Sequence, residues 1–159
     1  MTDGNADPRR LTVNAAFMKD IKDDNGQLKV LFEEISRLTG HPAIASNHWP
    51  EVLGLYGQLR DQLAFHFSLE EAYGYFDSAI DAEPHLSVQA ETLRAEHTQL
   101  FAVIRDLADR ATETPPDREE KVSAVLRDYD AFFTQFTQHE EAEVKLILHA
   151  LDDDIGGGD

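Results

Sequence analysis

Apolar residues recur at alternating steps of three and four through four separate stretches of this chain, a spacing that lines one face of an α-helix. The first stripe runs Phe17, Ile21, Leu28, Leu31, Ile35, Leu38, and the second Val52, Tyr56, Leu59, Leu63, Tyr73, Ile80, with Phe76 beside it. The third runs Ala90, Leu93, Leu100, Ile104, Leu107, Ala111, and the fourth Val122, Val125, Tyr129, Phe132, Phe136, Leu146, Ala150. No stretch shows the period-two alternation of a strand. The punctuation agrees with this division. Gly40 and Pro42 stop the first helix, and Pro50 opens the second in its first turn. Ser87 is placed to cap the third, and Asp117 with Glu120 has the spacing of a capping box for the fourth. Four amphipathic helices of roughly 25 to 35 residues with short connections predict an all-α, up-down-up-down four-helix bundle.

A bundle that is only a scaffold fills its inward stripes with apolar side chains, and these stripes are interrupted. The second helix keeps its step only if His66 and Glu70 follow Leu63; His97 stands between Leu93 and Leu100; His139 and Glu143 stand between Phe136 and Leu146. In the first helix the stripe passes through Asp24 and Asn25 on its way from Ile21 to Leu28. An ionised carboxylate on an inward seam costs several kcal/mol unless it is paired. The seam offers histidines, or a bound cation, as partners. His at i with Glu at i+4 lies on one helix face, so both can reach one ion or two adjacent ions. Buried histidines paired with carboxylates in a structural network are the alternative.

The two halves of the chain repeat this arrangement. A shift of 72 residues lays DNGQL (24–28) over EHTQL (96–100), so that Asn25 meets His97. A shift of 73 lays His66 over His139 and Glu70 over Glu143. The Asn25-Gly26 dipeptide, otherwise a turn signal, thus falls at a candidate ligand level inside a helix.

Composition narrows the chemistry. There is no cysteine, so thiolate ligands and disulfides are excluded and a metal must be held by His, Asp, Glu and backbone oxygen. A formal net charge of −17 repels phosphate backbones and anionic lipid, which argues against nucleic-acid and membrane partners. No stretch approaches the ~20 apolar residues of a membrane span and the N-terminus lacks a signal-peptide core, which predicts a cytoplasmic protein. At 159 residues we expect a single domain, with the bundle over about 12–152 and mobile ends at 1–10 and 153–159.

These motifs resemble the hemerythrin-like HHE cation-binding domains: a His on helix one, His-x-x-x-Glu on helix two, a His on helix three and His-x-x-x-Glu on helix four, here with HFSLEE on the second helix. His66, Glu70, His97, His139 and Glu143 match; Asn25 stands where the family has His. The resemblance implies a hemerythrin-like bundle around a non-haem di-iron centre with carboxylate bridges, with zinc or manganese as substitute metals. It also implies a small diatomic ligand such as dioxygen or nitric oxide. The oxygen-carrying members have a second histidine where this chain has Phe101, which places it nearer the broader HHE group. As an amide, Asn25 would leave the second ion weakly held, open to water, or missing. A sensor or binding protein without turnover is the expectation, and a sensor would have to signal through an unidentified protein partner or through its own assembly. An iron-dependent enzyme acting on oxygen, peroxide or nitric oxide and a structural bundle with a degenerate site are the alternatives.

Overall fold

The computed structural model describes the backbone of residues 8–72 and 84–156 and the side chains of residues 19–72 and 85–149. Four long helices carry the four stripes: α1 (Pro8–Thr39), α3 (Trp49–Ala72), α4 (Ser87–Thr112) and α5 (Glu119–Gly156). A short helix, α2 (Pro42–Asn47), and a 3-10 turn (Pro84–Leu86) occupy two of the connections. Tyr73, Phe76 and Ile80 of the second stripe lie outside the described residues. Among the described residues no helix is long and apolar enough to cross a membrane.

The helix ends refine the expected punctuation. Gly40 and Pro42 do bracket the end of α1, but Pro42 begins α2, whose first turn is capped by the His41 imidazole: Nδ1 accepts from the Ala43 backbone N–H at 3.1 Å. Six residues are too few for a periodic signal, so this helix is invisible to stripe counting. Ser87 is the first residue of α4 rather than its cap; Leu86 takes that place without a side-chain bond. At the C-terminus α5 continues through Gly156, beyond the expected end of the bundle near 152.

Pairwise contacts fix the directions. Asp24 meets Gln62 and His66, which lie about as far after the α1–α3 turn as Asp24 lies before it, so α1 and α3 are antiparallel. Along α4 and α5, His97 faces Glu143 and Arg110 faces Asp128, numbers that fall on one helix as they rise on the other. Along α3 and α5, Tyr56 meets Tyr129 and His66 meets Glu140, so these two run parallel. The result is an all-α, up-down-up-down four-helix bundle. The register of α4 against α5 leaves the first two turns or so of α5 projecting beyond the end of α4, and α2 packs against α5.

The interior is layered. A large apolar cluster, including Ile35, Leu59, Leu63, Ile104, Val122 and Phe132, fills the half of the bundle near α2. A small one, Leu86, Ala90, Leu93 and Leu146, fills the other end of the α4–α5 pair. Between them the stripe positions are His97, His139 and Glu143. Within the large cluster the tyrosines related by the 73-residue shift, Tyr56 and Tyr129, stack with centroids 5.3 Å apart. Burial pushes both hydroxyls well above the usual tyrosine range.

Asn25-Gly26 makes no turn; both residues are helical within α1. A Cβ added at Gly26 would meet nothing within 4 Å, so the glycine serves no close approach. Gly26→Ala should therefore stabilise the protein by about 1 kcal/mol, the difference in helix propensity, read as a higher urea midpoint at unchanged slope.

Candidate metal centre

The polar layer is a compact set of imidazoles and carboxylates contributed by all four long helices. From α3, His66 and Glu70 stack one turn apart, with His66 Nε2 2.8 Å from Glu70 Oε1. From α5, His139 and Glu143 do the same, Nε2 contacting Oε1. His97 on α4 joins the pairs: its Nε2 lies 2.9 Å from Glu70 Oε2 and 2.9 Å from Glu143 Oε1. All five side chains are at least 97% buried. The five histidine and glutamate residues predicted from the stripes are thus brought together.

Asn25 is not among them. It is exposed and lines a groove on the outside of the bundle, whereas its neighbour Asp24 is 1% exposed and points inward. The reason is the roll of α1 about its axis. Asp24 is held from α3 on both oxygens: Oδ1 accepts from Gln62 Nε2 at 2.7 Å, and Oδ2 accepts from His66 Nδ1. That pair of bonds turns residue 25 to the outside and corrects the expectation that it faces the centre.

Glu96 and Glu140 are functional candidates that stripe reading passed over, and Asp24 is one that it met on the stripe but did not place among the ligands. Asp24 fixes the His66 ring so that Nε2 faces the centre, the outer partner that a metal-binding histidine ordinarily has. Glu96 does the same for His139, its Oε2 accepting from Nδ1 at 2.8 Å. The 72-residue alignment that lays Asn25 over His97 also lays Asp24 over Glu96, so the signal for this carboxylate pair was present in the repeat. Glu140 on α5 brings Oε1 to 2.8 Å from His66 Nε2. It follows a stripe residue directly, a position that usually belongs to the edge of a helix face.

Two donor sets emerge, each with its atoms within 4.8 Å of one another: Glu70, His97, His139 and Glu143 in one, and His66, Glu70 and Glu140 in the other. Glu70 belongs to both. The electrostatics suit cations. Burial alone would lower the pKa of His66, but Asp24, Glu140 and Glu70 outweigh it and raise it to about 12. For His97 burial is likewise outweighed by Glu143 and Glu70, which raise it to about 9. His139 is raised against its burial by Glu143 and Glu96. Burial raises the Glu140 carboxyl, and contact with His66 only partly opposes this. Among the described residues the buried Glu143 Oε2 has no hydrogen-bond partner, and His139 Nε2, set against Glu143 Oε1, makes no hydrogen bond of ordinary geometry. Imidazole and carboxylate groups converging on a shared point fit a metal ion, which on binding would displace the protons that the raised histidine pKa values place there.

If His66 depends on Asp24 in this way, Asp24→Ala should weaken the cation bound on the His66 side by about 10- to 100-fold. Glu96→Ala should do less to the His139 side, because Glu96 is 36% exposed and water can replace it. Isothermal calorimetry with Zn2+ would compare the two, and equal effects would contradict this account.

The remaining histidines stay apart. His41 caps α2, exposed His48 lies 3.5 Å from Glu51, and exposed His85 and His149 line a cavity of about 580 Å3 away from the centre.

Comparison with curated proteins gave no match, and neither did comparison with solved structures. Comparison with protein families gave a match to the Hemerythrin HHE cation binding domain over residues 17–151, a span that takes in every residue of both donor sets. The chain therefore belongs to the hemerythrin HHE cation-binding family, a metal-binding helical domain.

Proposed function

We propose that the protein is a non-haem iron protein holding two adjacent ions, and that it binds or senses dioxygen or another small diatomic molecule without turning over a substrate. The observation that carries this reading is the sharing of Glu70 between two convergent donor sets, as expected of a carboxylate that bridges two ions. His66 with Glu140 would complete one set, and His97, His139 and Glu143 the other. Imidazole nitrogen with carboxylate oxygen suits iron, with zinc and manganese as substitutes. The iron pair would supply redox chemistry. The protein's own part is to fix the imidazole orientation through Asp24 and Glu96 and to hold the layer between two apolar clusters.

Phe101 supports sensing or binding over oxygen transport. At the position where the oxygen carriers have a further histidine, this side chain packs, half-buried, against the large apolar cluster and offers no donor.

Anaerobic loading of the stripped protein with Fe(II), followed by metal analysis and absorption spectra through cycles of air and argon, tests the reading. Two iron equivalents per chain and a visible band that comes and goes with oxygen are expected. Sustained consumption of oxygen, peroxide or nitric oxide would make it an enzyme, and no uptake of metal would leave a structural bundle.

A further inference from the structure

The approximate two-fold relation between the halves of the chain is broken at two positions, and the two breaks compensate each other. Residues 66 and 70 on α3 correspond to 139 and 143 on α5, and residues 24 and 25 on α1 to 96 and 97 on α4. The Asp24–His66 contact repeats as Glu96–His139, so the correspondence holds for contacts as well as for residue types. It fails at Asn25, which is exposed where His97 is buried.

The same shift pairs Glu140 with Phe67. Phe67 stacks on the ring of His97, with centroids 4.4 Å apart and planes 19° from parallel. In the other half there is no histidine for an aromatic ring to cover. The corresponding position carries a carboxylate, and it reaches inward to His66 Nε2 at 2.8 Å. A His–Phe combination in one half is therefore exchanged for an Asn–Glu combination in the other.

Glu140 differs from the other carboxylates of the two donor sets in a second respect. Its side chain is 30% exposed, against 2% for Glu70 and 1% for Glu143. It helps to line a groove of about 540 Å3 between α1 and α5, walled by Leu28, Phe32, Phe133, Phe136 and Val144. One of the two donor sets thus ends in a carboxylate that solvent reaches, while all four members of the other are buried.

We propose that Glu140 is the third protein donor to the cation on the His66 side, filling the place that residue 25 does not, and that this cation is the exchangeable one of the pair because Glu140 faces the α1–α5 groove. The proposal rests on the metal-centre reading above. Its test separates the two.

Zn2+ is titrated calorimetrically into the metal-stripped full chain, and the loaded protein is then challenged with EDTA. The wild type should take two equivalents and release them in two phases, one fast and one slow. Glu140→Gln, which keeps the side-chain volume, should lose the fast phase and bind its second equivalent about 100-fold or more weakly. Glu140→Asp, whose arm is one methylene shorter, should fall between. Asn25→Ala and Asn25→His should both behave as wild type. Thermal melts of the stripped variants within a few degrees of wild type guard against a folding defect, and Glu140→Asp answers the question if Glu140→Gln does not fold. Two wild-type-like equivalents in Glu140→Gln, or loss of one equivalent in Asn25→Ala, would overturn the proposal and leave the metal centre standing. A wild type that takes up no Zn2+ would remove the metal centre itself.

Discussion

Replacing Glu70 by alanine should take both cation equivalents from the protein at once. Glu70 is the one residue common to the two donor sets, with Oε1 2.8 Å from His66 Nε2 and Oε2 2.9 Å from His97 Nε2. An outer partner of a ligand is worth about 10- to 100-fold in affinity, so a carboxylate offered to both ions should exceed that at each of them. The metal-free protein should suffer too. Burial alone would raise the pKa of Glu70, yet His66 and His97 overcome this and hold it at about 2, so the carboxylate balances two buried imidazolium rings. Breaking such a pair by removing one partner costs about 3–5 kcal/mol. Metal analysis after Zn2+ loading and urea unfolding of the stripped protein measure the two effects separately. Glu70→Gln should lose the metals with a smaller stability loss, because it leaves no cavity. Retention of one tight equivalent in Glu70→Ala would show that the two sets do not depend on a shared carboxylate.

The contrast between Glu70 and Asn25 shows how far the sequence could be read. A step of four from His66 admits only Glu70 before the chain leaves the centre, so stripe and motif agree on it. From Ile21 to Leu28, a step through residue 24 and a step through residue 25 both fit helical periodicity, and the resemblance favours 25 because the family has its histidine there. What decides is the roll of α1, set by Gln62 and His66 on another helix about 40 residues away. Periodicity within one helix carries no information about that. Glu140 was hidden for a related reason: beside a stripe residue and among Glu141 and Gln138, it has the composition of a solvated face. With residue 25 turned outward, Glu140 reaches inward to His66 from the neighbouring helix. The bundle itself was legible because four stripes with punctuation between them admit few other solutions, and α2 was not because six residues are less than two turns.

The second large effect is expected beneath the centre, at Phe136. Its ring lies 5.8 Å from His66, 6.4 Å from Phe67, 6.1 Å from Phe132 and 5.5 Å from Phe32. It therefore touches side chains of α1, α3 and α5 at the level where the apolar cluster gives way to the polar layer, and it is 5% exposed. Phe136→Ala removes a large buried ring whose neighbours are held by three separate helices and cannot easily close the gap, so it should destabilise the metal-free protein by about 3–5 kcal/mol. Phe136→Leu, which keeps most of the volume, should cost well under half of that. The same cavity loosens the wall against which His66 is set, so the two variants should differ in metal binding as well. Because a cation that binds only the folded chain stabilises it by about 4 kcal/mol at a thousand times its dissociation constant, Zn2+ should return much of the stability lost in Phe136→Ala. Urea titrations with and without Zn2+ read both quantities on one sample. If Phe136→Ala lost 3–5 kcal/mol but gained nothing from Zn2+ while wild type did, the ring would be needed to form the cation site. If the loss were under about 1 kcal/mol, the layer beneath the centre would be far more compliant than a close-packed core allows.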